Sequence, residues 1–136
     1  MGRNERDAVA QPLLLRMVMV MAWFSAFLFT QVVECPIYVW ALRNDSRHWG
    51  AKLVLAFGAS ASTHPIVWFV IPSLWMSAGQ VGGYWTMVAI AEVFAVLAEA
   101  AYFWAVGLRR AWRWALVANV ASAGLGFLCR SAFGWP

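Results

Sequence analysis

Four apolar runs, each long enough to cross a bilayer, take up most of this 136-residue chain, with only short polar breaks between them. A hydrocarbon core takes about 20 consecutive apolar residues to cross as a helix. The runs therefore predict an all-α fold, a four-helix transmembrane bundle forming a single integral membrane domain over residues 1–136, with helices at 17–42, 51–76, 84–106 and 112–132. Composition agrees: 63% of residues are hydrophobic and 12% charged, against about 25% charged in soluble domains. The opening segment MGRNERDAVAQP reads as a polar tail. No small-residue cleavage pattern follows it, so the first helix is expected to be retained.

The net charge of +4 would suit a nucleic acid if the basic residues formed a stripe. They do not, and nucleic acid is excluded as a partner; the lipid bilayer is the expected one. Arg43, Arg47 and Lys52 flank one break, Arg109, Arg110 and Arg113 another, and Arg3, Arg6 and Arg16 precede the first helix. This is the distribution of helix-end anchors and topology signals. The positive-inside rule places residues 43–52 and 107–113 in the cytoplasm and both termini outside. Cys35 and Cys129 fall at opposite depths of antiparallel helices, too far apart for a disulfide within one chain. The triplet Asn44-Asp45-Ser46 is formally a glycosylation sequon, but the loop is short and basic.

The informative residues are those that do not belong in hydrocarbon. The run YWTMVAIAEVFAVLAEAAYFWAV carries Glu92 and Glu99, seven residues apart, and two helical turns put both carboxylates on one face about 10 Å apart along the axis. Tyr102 continues that face. On insertion scales a charge near a helix centre costs about 2.5–3.5 kcal/mol, so the acids are expected to face protein, a watery cavity or a cation. In the first helix Gln31, Glu34, Cys35 and Pro36 lie close together, and Pro36 is expected to kink the helix beside Glu34. In the second, the small residues of GASAS precede Thr63, His64 and Pro65 near the membrane centre, which marks the segment as interior. In the fourth, Asn119, Ser122 and Gly126 share a face, and Ala118, Ser122 and Gly126 form a small-residue ridge. At about 1.5 Å of rise per residue, Glu34, Glu99 and Asn119 fall at similar depth, with His64 near the centre and Glu92 toward the outside. No lysine or arginine lies at that depth, so the acids are protonated or hold a cation.

The succession Glu34-Cys35-Pro36, Thr63-His64-Pro65, Glu92 with Glu99, and Asn119-Val120-Ala121-Ser122 resembles an uncharacterised family of small bacterial four-helix integral membrane proteins. The resemblance spans the transmembrane region and implies the four-helix fold and a multi-pass location in a bacterial inner membrane. It implies no substrate.

Glu34, His64, Glu92, Glu99 and Asn119 are thus the candidate polar site, with Thr63, Tyr102 and Ser122 beside it. Three functions suit it. The first is binding or translocation of a cation, a proton or a divalent metal, with Glu34, His64 and Glu99 as ligands; carboxylate with imidazole suits Mn, Fe or Zn. The second is an intramembrane metal- or Glu-dependent hydrolase, although no HExxH or serine nucleophile motif is present. The third is a non-catalytic subunit or assembly factor, acting in a homo-oligomer or with a membrane partner. Topology is directly testable: a reporter fused within residues 107–113 should report the cytoplasmic side, and an external signal would invert the bundle.

Overall fold

The computed structural model describes residues 3–80 and 82–135, and among these every regular element is helical. Helix α1 runs Arg3–Ala41, α2 Trp49–Pro65, α3 Ile71–Ser77, α4 Gly83–Ala105 and α5 Ala111–Phe133. Residues Ile66–Val70 form a π-helical segment that joins α2 to α3, so that Trp49–Ser77 is a single span of 29 residues. Four helical stretches are long and apolar enough to cross a membrane, and the expected four-helix architecture holds.

Two boundaries differ from those read in the sequence. The segment taken as a polar tail is already helical from Arg3. Polarity ends a membrane span but does not end a helix, and the helix runs on through Pro12. The second span changes its winding, and two prolines explain where. Each proline ring crowds the carbonyl four residues earlier, so Pro65 and Pro72 press on Ala61 and Trp68 and bracket the segment between them. There Ile66 N–H bonds to Thr63 O and Ile71 N–H to Ile66 O, a tight turn followed by a wide one. By contrast α1 continues as helix through Pro36.

The breaks are closed by local hydrogen bonds. At the end of α4 Gly107 N–H bonds to Trp104 O and Leu108 N–H to Phe103 O, with Gly107 at φ 88°; this is the Schellman arrangement, which needs a left-handed residue at that position. Gly79 and Gln80 close α3 in the same way, on Met76 O and Trp75 O. His48 caps α2 by accepting from Gly50 N–H through Nδ1 at 3.0 Å.

The spans form a ring in the order α1, α2, α4, α5, each packed on its two neighbours. Small residues line the contacts. The buried face of α2 is Ala56, Ala59, Ser60, Thr63 and His64, and that of α5 is Ala111, Ala115, Ala118, Asn119 and Ser122. Lipid tails are as apolar as any side chain, so close backbone approach and interhelical hydrogen bonds drive this association. Most leucine, valine and phenylalanine side chains point outward, among them Leu28, Val32, Phe57, Leu97 and Val120. Gly58 marks one close approach, since a Cβ there would lie 3.0 Å from the Tyr102 hydroxyl. Tyr102 therefore serves the α2–α4 contact.

Replacing Gly58 with Leu is expected to cost about 1–3 kcal/mol through overpacking, read from reversible unfolding in mixed micelles. Adding Tyr102→Ala should recover part of that loss.

Candidate functional site

Two carboxyl groups lie at the centre of the ring, one from α1 and one from α4. Glu34 is 2% exposed and Glu99 1%. They are held by pairs of residues three positions apart, one pair on α2 and one on α5, so that each helix reaches both acids from a single face. On α2 the Ser60 hydroxyl bonds Glu34 Oε2 and Thr63 Oγ1 lies 2.9 Å from Glu99 Oε1. On α5 Ser122 Oγ lies 2.5 Å from Glu34 Oε1, and Asn119 Nδ2 donates to Glu99 Oε2 at 2.7 Å. The Tyr38 hydroxyl, one turn beyond Glu34 on α1, bonds the same Glu99 oxygen. Every carboxyl oxygen of both acids thus has a protein partner.

The donors are not equivalent. Asn119 Nδ2 also donates to Ala115 O at 2.9 Å, which fixes the amide orientation and leaves it able only to donate toward Glu99. The hydroxyls can turn. Thr63 Oγ1 lies 3.2 Å from Ser60 O as well as close to Glu99, and Ser122 Oγ lies 3.2 Å from Asn119 O as well as close to Glu34. Each hydroxyl carries one hydrogen and has two acceptors in reach. It can donate to an ionised carboxylate, or donate to the backbone carbonyl while accepting from a protonated carboxyl.

The structure thus brings together Glu34, Glu99, Asn119, Thr63 and Ser122 from the sequence reading. It separates Glu92 from them. The buried stripe of α4 is Ala91, Ala95, Glu99 and Phe103, stepping by four residues and so rotating about 40° at each step. Over two steps it drifts off the line joining Glu92 to Glu99. Glu92 is left half-buried at its edge, with no hydrogen-bond partner among the described residues.

His64 is separated too, for a similar reason. One residue from Thr63 is about 100° of helix rotation, and His64 faces an aromatic pocket instead. Its ring lies 5.3 Å from that of Phe27, 5.9 Å from Trp68 and 6.2 Å from Trp23 between centroids. Its Nδ1 is buried without a partner. The proposed ligand set Glu34, His64 and Glu99 is therefore not assembled. Among the described residues no three His, Cys, Asp or Glu side chains are placed to hold a metal ion, so no step is assigned to a divalent metal.

Two members of the site were missed in the sequence. Tyr38 is four residues after Glu34 and Ser60 three before Thr63, and each lies on the face of a residue already singled out. Helical spacing could have found both. In the sequence Ser60 reads only as a member of the small-residue cluster, and Tyr38 is not singled out.

No family model, no curated protein and no solved structure matches the chain.

Tyr38→Phe and Thr63→Val are each expected to cost about 1–2 kcal/mol of stability, since each deprives a buried carboxyl of a hydrogen bond. Because both act on Glu99, the double variant should depart from additivity by at least about 0.5 kcal/mol, measured by a double-mutant cycle in micelles.

Proposed function

We propose that the chain is an integral membrane protein whose Glu34–Glu99 centre binds and releases a proton, as a protonatable site within the bilayer. The observation that carries this is the pair of two-way hydroxyls. Thr63 and Ser122 each have a backbone carbonyl as alternative acceptor, so Glu99 and Glu34 can each be protonated or ionised without losing a hydrogen bond. A purely structural polar contact needs only one such arrangement.

The electrostatics support the same reading. Among the described residues no lysine or arginine side chain contacts either acid, and two buried like charges without a counter-ion would each carry a desolvation cost of several kcal/mol. The centre therefore keeps at least one proton. Asn119 fixes one Glu99 oxygen as an acceptor, which leaves the proton to Oε1 or to the neighbouring acid. The resemblance to small four-helix bacterial membrane proteins supports the choice of residues and a bacterial inner membrane, and adds no activity.

A second reading, a polar lock that fixes the helices in register, is favoured by the complete pairing of all four carboxyl oxygens. The two readings part on substitution. Glu99→Gln keeps the size and most of the hydrogen bonds, so under either reading the fold should survive nearly unchanged. Glu99→Ala should cost about 1–3 kcal/mol by leaving buried donors unpaired.

Proton binding should appear as a protonated-carboxyl stretch in infrared spectra at neutral pH and as proton uptake by reconstituted vesicles after a pH jump. Both are expected to be lost in the Glu34→Gln, Glu99→Gln double variant. A spectrum with every carboxyl ionised, or no pH-dependent band between extremes of pH, would exclude the proton-binding reading and leave the lock.

A further inference from the structure

At the end of the bundle where α1 stops and α5 begins, a cleft of about 660 Å³ opens between the two short loops. Small-molecule sites commonly occupy about 300–1,000 Å³. Arg43 enters it from the end of α1, Arg109 and Arg110 from the loop after α4, and Arg113 from the first turn of α5. Two loops and the first turn of α5 thus bring four arginines to the lining of one cavity.

Among the described residues no acid forms an ion pair with any of the four. The acid that lines the cleft is Asp45, and it is taken by Arg47, with Arg47 Nη1 3.2 Å from Asp45 Oδ2 and Arg47 N–H donating to Oδ1 at 2.8 Å. Arg47 is itself committed, since its Nη2 donates to Val106 O at the end of α4. Arg43 stacks on Trp40 with Cζ 4.1 Å from the ring centroid and donates to Trp40 O. Arg113 lies over Trp112 at 5.2 Å. The side chains of Arg109 and Arg110 have no hydrogen-bond partner among the described residues, while Arg110 O accepts from Arg113 N–H at 2.9 Å. The N-terminus of α5 adds to the field: it has no side-chain cap and no acid in its first turn, so its free N–H groups keep their partial positive charge.

We propose that this cleft binds a phosphate-bearing anion, carried by a lipid headgroup or free in solution. Guanidinium pairs phosphate oxygens through two parallel N–H groups, which an ammonium cannot do. The level is right for a headgroup, because the membrane span of α1 ends at Ala41 and that of α5 starts at Ala111. Trp40 and Trp114 pack edge to face at 5.0 Å beside it, and Trp114 lines the cleft, as interfacial tryptophans do at headgroup depth. The site is separate from the acidic centre, from which the buried side chains Leu42 and Phe103 divide it, and it does not rest on the proton-binding reading.

The test uses the full chain purified in detergent and in nanodiscs of equal phosphatidylglycerol and phosphatidylcholine, where both leaflets are alike and orientation has no effect. Native mass spectrometry reads the lipid retained, and titration calorimetry in detergent reads inorganic phosphate. Each interfacial basic residue contributes roughly fivefold in affinity for an anionic surface, so R43Q/R109Q/R113Q should lose phosphatidylglycerol retention by more than about tenfold. R130Q, which removes one charge at the other end of α5, should lose no more than about fivefold.

Preferential retention of phosphatidylglycerol, lost in the triple variant, supports the site with a lipid as source. Saturable binding of inorganic phosphate without lipid preference, lost in the same variant, supports it with a free anion. Absence of both, or retention unchanged by the triple variant, overturns it. R43K/R109K/R113K keeps every charge and decides the case even where the glutamine variant does not fold. Wild-type retention by the lysine protein would mean diffuse charge attraction and would overturn the built site.

Discussion

A carboxyl group in hydrocarbon cannot be left to itself, and the packing of this bundle follows from that constraint. Glu34 and Glu99 are almost fully buried, with no basic side chain bonded to them among the described residues, so their partners come from the helices around them. Short hydroxyl and amide groups reach a carboxyl oxygen only when backbones approach closely. That requirement selects the small residues Ala56, Ala59, Ala115 and Ala118 on the same faces as Ser60, Thr63, Asn119 and Ser122. The acids and the alanines are two sides of one arrangement.

Above the centre the chemistry changes within two helical turns. Glu34, Tyr38 and Leu42 recur at four-residue steps along α1, and Glu99 and Phe103 along α4, so polar group, aromatic ring and aliphatic cap succeed one another toward the arginine cleft. Tyr38 and Phe103 pack with ring centroids 4.3 Å apart, and both are fully buried with Leu42 next to them. This apolar layer keeps the acids and the four guanidinium groups apart. Opposite charges that met directly would neutralise each other.

The span that contains His64 is built differently. Pro65 and Pro72 bracket a π-helical turn, and beside it the histidine lies among Trp23, Phe27 and Trp68 with one ring nitrogen unpaired. Irregular winding is common at functional positions in helices. Here it also rotates the residues after Pro65 relative to those before, so the α2 face that serves the acids ends at Thr63 and an aromatic face takes over.

The fold class, the four spans, the short breaks and the membership of Glu34, Glu99, Asn119, Thr63 and Ser122 in one polar centre were legible in the sequence. Hydrophobic length fixes a membrane helix, and the cost of a polar group in lipid forces it inward whatever its partners. Direction around the helix axis was not legible to better than the width of a face. A spacing of seven residues put Glu92 in line with Glu99, yet the buried stripe follows steps of four and drifts away; adjacency put His64 beside Thr63, yet one residue turns it to another neighbour. Which side chain completes which hydrogen bond was likewise decided only by the crossing of α1, α2, α4 and α5. That crossing brings the Tyr38 hydroxyl onto Glu99, 61 positions away in sequence, and gathers arginines from two separate loops at one cleft.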